Sequence, residues 1–230
     1  MKAIIKNELR KYFYSPLGYI IVGAFIIIFS LYVLSGIASY RLLDLGIAFY
    51  CTIELAFPVL IALLTMGIFA EERKSGTEKI LLTAPISTAK MILAKLIAAT
   101  IVVVIATLLT SVFYFIFNGY GAYGLGEAIT QQVGFILVAI AGISFGMFAS
   151  SLCDNPVIAG AIVFVPALLM TIFSGLGIGS SLFDIIRISS LYINFAKGII
   201  SVADILILSL FTTLFFTLTL LGFKRRRLVK

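Results

Sequence analysis

Apolar residues run along this chain in six long blocks, separated by shorter polar intervals: Leu17–Ser35, Ala48–Ala70, Met91–Phe117, Gln132–Leu152, Val157–Phe173 and Ile205–Phe223. A helix needs about 20 apolar residues to cross the hydrocarbon of a bilayer, and each block is that long or nearly so. The pattern predicts an all-α polytopic membrane protein with six transmembrane helices in one membrane domain, residues 1–230. The block Met91–Phe117 exceeds what a bilayer requires and should tilt or protrude. Pro58 and Pro166 sit inside the second and fifth blocks, where each frees a backbone carbonyl and permits a kink.

Three of the remaining stretches do not read as plain turns. In residues 1–14, Ile5, Leu9, Tyr12 and Phe13 share one helical face while Lys6, Arg10 and Lys11 fall mainly elsewhere. This predicts an amphipathic helix lying in the membrane interface, with Ser15-Pro16 opening the first span. In the 71–90 interval, Ser75-Gly76-Thr77-Glu78 fits the S-x-x-E capping box that starts a helix. Ile80, Leu81 and Leu82 follow as an apolar patch, Pro85 stops the helix, and Ser87 or Thr88 can cap the third span. A short docking helix lying across the membrane fits this better than a turn. The 174–204 interval is long and rich in Leu, Ile, Phe and Tyr, too apolar to hang in water. It predicts short helices that re-enter or cover the bundle before span six.

Charge orients this layout. The chain has 17 basic and 10 acidic residues and a net charge of +7. With six alternating spans and the N-terminus in the cytoplasm, 14 of the 17 Lys and Arg fall inside, leaving only Arg41, Arg187 and Lys197 outside. Lys and Arg concentrate in cytoplasmic loops, so both termini are expected in the cytoplasm and the protein in the cell membrane. The same asymmetry accounts for the +7 without nucleic acid. Seven of the charged residues crowd into the 20 residues 71–90. With 62% hydrophobic and only 12% charged residues, and a mean hydropathy of +1.20, a soluble enzyme is excluded.

Candidate chemistry is thin. The sequence has no His, which removes Ser-His and Cys-His catalysis and His-ligated metal sites. Its two cysteines, Cys51 and Cys153, are too few for a Cys-rich metal site and are expected at opposite faces. Gly142-Ile143-Ser144-Phe145-Gly146 matches the nucleophile elbow but lies mid-span. The spacing Gly142-x-x-x-Gly146 reads instead as close helix packing. No Walker A sequence is present, so ATP-driven movement would need an ATPase on another subunit. Glu54 is the one ionisable residue well inside a span, which makes it a candidate intramembrane polar site. The alternative is that it reaches the interface or pairs with Arg41.

The stretch Phe69–Ser87, with Glu71, Glu72, Arg73, Gly76, Thr77 and Glu78 followed by Ile80, Leu81, Leu82 and Pro85, resembles the cytoplasmic loop signature of ABC-2-type ABC transporter permeases. Lys95 stands where that family often has a lysine opening span three, and Tyr14-Ser15-Pro16-Leu17-Gly18-Tyr19 is similar to the small permeases of the gliding-motility and nitrous-oxide-cluster type. The resemblance covers the whole chain in layout. It implies a non-catalytic permease subunit, commonly of an exporter, that works as a dimer with an identical or paralogous permease. Each such subunit docks a cytoplasmic P-loop ATPase, which carries the ATP and Mg²⁺; no cofactor is implied in this chain. It further implies that 71–90 forms a coupling helix, with the ten residues named above as ATPase-coupling positions, and that 1–14 and 174–204 form the interfacial and re-entrant helices. A membrane scaffold or channel without an ATPase is the alternative.

Overall fold

A computed structural model of the chain describes residues 2–40, 44–77, 87–118, 124–175 and 188–228. These residues are helical nearly throughout, with no strand among them. Helix α1 covers Lys2–Tyr14 and α2 Pro16–Tyr40. The second span runs as α3 (Leu45–Cys51), a π-helical turn (Thr52–Ala56), α4 (Phe57–Thr65) and α5 (Gly67–Lys74). Then come α6 (Thr88–Asn118), α7 (Leu125–Leu152), α8 (Pro156–Gly175), a 3-10 turn at Ser190–Tyr192, α9 (Ile193–Ala196) and α10 (Val202–Leu228).

Among the described residues, six helices are long and apolar enough to cross a membrane: α2, the composite Leu45–Lys74, α6, α7, α8 and α10. All six expected blocks are there, extended at their ends because polar turns at helix ends keep the helical hydrogen bonds going. Pro16 opens α2 as a first-turn proline, although the Ser15 hydroxyl turns back and donates to Tyr12 O (3.4 Å). Ser87 caps α6, its hydroxyl accepting from Lys90 N (3.4 Å).

Spans two and four form the core: 67% of the central apolar stretch of each is buried, against 11% of that of the last span. What lets them approach is a row of small residues on α7. A Cβ on Gly142 would lie 2.9 Å from the Phe57 ring, and one on Gly146 would run into Thr65 Oγ1. Close approach of small-residue faces is how apolar helices bind one another without help from water. Span one lies against this pair through aromatic rings, Phe25 against Phe135 (5.2 Å) and Phe29 against Phe49 (4.5 Å).

The bundle has two distinct ends. At one, α1 lies across α6 and α2, and Phe223 near the end of α10 packs on Phe69 of α5 (4.7 Å), so the two extremities of the chain share that end. At the other, the turn after residue 188 folds back into the spans. Tyr192 and Phe195 are fully buried there. The Tyr192 hydroxyl donates to Gln131 O (3.1 Å) and the Gln131 amide donates to Ala196 O (2.9 Å). The expected covering helices are therefore present from 188 onward; residues 176–187 lie outside the described residues.

Candidate functional site: the base of the loop after span two

Sequence pattern placed the informative chemistry in 71–90. Residues 78–86, and with them Glu78, Ile80, Leu81, Leu82 and Pro85, lie outside the described residues. What the structure does describe is the base on which that loop stands, and it is held from two sides.

On the first side, four charged side chains from three helices converge. Lys95 of α6 is only 2% exposed. Its ammonium donates to Glu72 Oε1 of α5 (2.6 Å), Glu8 Oε1 of α1 (3.2 Å) and Ile68 O (3.0 Å), which uses all three of its protons. Lys11 of α1 reaches the same two carboxylate oxygens, at 2.9 Å from Glu72 and 3.0 Å from Glu8. Each acid thus meets both lysines, and the set is electrically balanced. The Lys95 ammonium also stands over the Phe69 ring, 5.2 Å from its centroid, a further favourable contact for a desolvated cation. Burial alone would lower the Lys11 pKa, but the hydrogen bond and charge of Glu72, joined by Glu8, outweigh it and hold that pKa above its ordinary value. Tyr12, one residue on, has its hydroxyl donating to Leu64 O (2.9 Å). Burial first, then the nearby charges of Glu8, Glu71 and Glu72, push its pKa well up, so it remains a neutral donor.

On the second side, Arg73 points from α5 to the end of α7. Its guanidinium donates to Cys153 O (2.7 Å), Ser151 O (2.8 Å) and Asp154 Oδ1 (3.1 Å). The planar fork of Arg suits several acceptors at once. One turn deeper, the buried Ser150 hydroxyl donates to Met66 O (3.1 Å) and accepts from Phe69 N and Ala70 N (3.1 and 3.2 Å). It fills the break between α4 and α5, where helix-end groups would otherwise be orphaned.

The capping-box expectation at Ser75 is corrected here. Ser75 ends α5 rather than starting a helix: it is helical (φ −82°, ψ −7°), and its N–H donates to Glu71 O. An N-cap needs extended backbone. Gly76 then takes φ +76°, the left-handed conformation in which a glycine closes a helix, and its N–H donates to Arg73 O (3.1 Å). The Thr77 hydroxyl donates back to Glu72 O (3.2 Å). Serine and a glycine-threonine pair serve either end of a helix, and spacing alone does not separate the two.

Of the expected coupling residues, then, Glu72 and Arg73 are anchors of the base, Gly76 and Thr77 turn the chain out of it, and Glu71 is exposed. Glu71 and Thr77 line a cleft of about 520 Å³ between α1 and α4–α5, together with Glu8, Lys11, Tyr12 and Glu72. Glu8, Ser150 and Lys11 were missed. For Glu8 a signal existed: it sits among Ile5, Leu9 and Tyr12 on the otherwise apolar face of α1, where an acid is out of place unless paired.

Residues 2–228 match the ABC-2 family transporter protein family. The chain belongs to that family. A search of the curated proteins found no match. Membership of the ABC-2 family makes the chain a membrane permease component of ABC transporters, and the six spans make it an integral membrane protein.

Glu54, the other expected site residue, lies far from this base, in the π-helical turn Thr52–Ala56. There the Phe57 N–H reaches back five residues to Thr52 O. Pro58 has no N–H to give Glu54 O, and the Thr171 hydroxyl of α8, 3.1 Å away, donates to it instead. Arg41 lies outside the described residues. No group of three or more metal-ligating side chains occurs among the described residues.

Proposed function

We propose that the chain is the membrane subunit of an ATP-driven exporter, working beside a second permease subunit and coupled to a separate cytoplasmic P-loop ATPase that binds ATP and Mg²⁺. The observation that carries this reading is the four-charge base. Glu72 and Arg73, at the root of the loop, are bonded to α1 and α6 on one side and α7 on the other. A force applied to residues 75–87 therefore reaches three spans and α1 at once, through ionic contacts with little slack. A topological tether would need no such anchoring. The 14-to-3 distribution of basic residues supports a cytoplasmic position for this end of the bundle.

In this mechanism, ATP binding closes the two ATPases and pushes on the loop, with Glu71 and Glu78 making polar contacts and Ile80, Leu81 and Leu82 filling an apolar groove. The push is transmitted through α5 as a rigid-body tilt that opens a path between the two permease subunits. Leu81→Asp places a charge in that groove. It is expected to abolish ATP hydrolysis co-purifying with the affinity-tagged chain from native membranes, while the chain itself remains inserted and monodisperse. Full ATPase recovery with this variant would exclude the coupling role, and absence of ATPase with the unaltered chain would favour the scaffold or channel.

A further inference from the structure

The half of the bundle away from α1 contains a slot-shaped cavity of about 270 Å³ between α4, α7, α8 and α10 that the coupling mechanism does not use. It runs from Ile53 to Ile61 along span two and from Val163 to Thr171 along α8, roughly 12 Å at 1.5 Å per residue. One leaflet supplies about 15 Å of hydrocarbon, half of the bilayer core. The wall is almost wholly apolar, with rings from Phe57, Phe145, Phe211 and Phe215 and both mid-span prolines. Glu54 borders the slot but already interacts within the protein, so the slot calls for no charge.

Two features of the slot are not explained by packing. The first is its open side. Among the described residues, α4 packs on α7 and on α8, and α7 packs on α10, but α8 and α10 scarcely touch. They are also the two least buried spans, with 17% and 11% of their central apolar stretches buried, and Val165, Leu169, Leu210 and Leu214 stand exposed along them. The slot therefore opens between them toward the bilayer. The second feature is Ser189. It lines the slot, it is 4% exposed, and its hydroxyl has no hydrogen-bond partner among the described residues. It directly precedes the Ser190–Tyr192 turn, which folds into the end of the bundle away from α1, so it stands at that end of the slot. A buried hydroxyl left unsatisfied is costly, and native structures seldom retain one without a reason.

These features select one occupant. An apolar slot open to lipid, nearly as long as one leaflet is deep, fits a hydrocarbon chain. An unused hydroxyl donor at the end nearer the membrane surface fits a carbonyl at the head of that chain. A helix of a second permease would fill the volume but leave Ser189 unsatisfied, because its backbone carbonyls are taken up by its own hydrogen bonds. A water would bond Ser189 but needs two to four polar partners, and this wall is apolar. We propose that the slot holds one acyl chain of an ester phospholipid from the leaflet on that side, with the Ser189 hydroxyl donating to the ester carbonyl and the chain lying against Phe57, Phe145, Phe211 and Phe215. The site belongs to the single chain and requires neither the ATPase nor a second permease, so it stands or falls separately from the coupling mechanism.

The test titrates lipid into the full chain, delipidated in detergent micelles, and reads adducts by native mass spectrometry. The probes are dioleoylphosphatidylcholine and its diether analogue, which has the same chains and headgroup but no carbonyls. A saturable first adduct is expected, tighter for the diester than for the diether by roughly two- to tenfold, the scale of one neutral hydrogen bond. Ser189→Ala should abolish that preference while leaving the diether's affinity unchanged. Ala167→Trp, which fills the slot, should remove the saturable first adduct of both lipids. Equal affinity for diester and diether in the unaltered chain, or no saturable first adduct, overturns the proposal whether or not any variant folds. A diester preference that survives in a monodisperse Ser189→Ala chain overturns it as well. So does a saturable adduct carried by monomers but absent from dimers, which would mean that a second copy covers the slot.

Discussion

Span two carries two partly or wholly buried acids, Glu54 and Glu72, separated by roughly 27 Å of helix at 1.5 Å per residue, and the chain treats them in opposite ways. Around Glu72, lysines arrive from two other helices and every contact is short and ionic. Glu54 borders a cavity lined by aromatic rings, two prolines and the unsatisfied Ser189 hydroxyl. The helix is correspondingly regular beside the first and distorted to a π turn at the second. One end of the span is pinned by ionic contacts to other helices, and the other borders open volume. An acid in a membrane protein is therefore poorly described by its depth alone; what surrounds it decides its role.

The sharpest way to break the comparison is at the closed end. Lys95→Met leaves Glu8 and Glu72 with only the half-exposed Lys11, and removal of one partner from a buried ion cluster costs about 3–5 kcal/mol. Unfolding of the detergent-solubilised chain by SDS titration measures this, and a loss below about 1 kcal/mol, typical of a surface pair, would show that the cluster is solvated. Next in size is a contrast along α7. Gly146→Ala presses on Thr65, whose hydroxyl is already bonded to Ile61 O, and is expected to cost about 1–3 kcal/mol as overpacking. Gly142→Ala presses instead on the Phe57 ring, which borders the cavity and can yield into it, so it should cost less in the same titration; the reverse order would mean that the cavity wall is stiff. The smallest effect is expected from Thr171→Val, which removes the donor to the carbonyl that Pro58 leaves free. A loss of about 1 kcal/mol, one hydrogen bond, is anticipated in the same assay.

The fold was largely legible in the sequence because hydrocarbon imposes a simple test: a segment is long and apolar enough or it is not. The loop after span two stood out for the same reason, as charge is scarce in this chain. Ser75 misled because serine beside glycine is compatible with both ends of a helix, and only the backbone angles separate them. Glu8 and Lys95 reach α5 from one side and Ser150 from the other, from distant positions of the chain, and periodicity records which face of a helix a residue occupies but not which helix will meet it. Glu54 was singled out by its chemistry. The serine that shares its cavity was not, because Ser189 sits in a stretch where no helical period points to a burial face.

Glu8, Lys11, Glu72 and Lys95 carry two charges of each sign. Moving one unpaired charge across a membrane potential of about 100 mV involves about 2.3 kcal/mol of electrical work. A block with zero net charge can be displaced along the membrane normal with almost none. In the proposed mechanism the ionic base would thus shift as a unit at any membrane voltage, and a stroke delivered through it would be neither taxed nor assisted by the cell's electrical state.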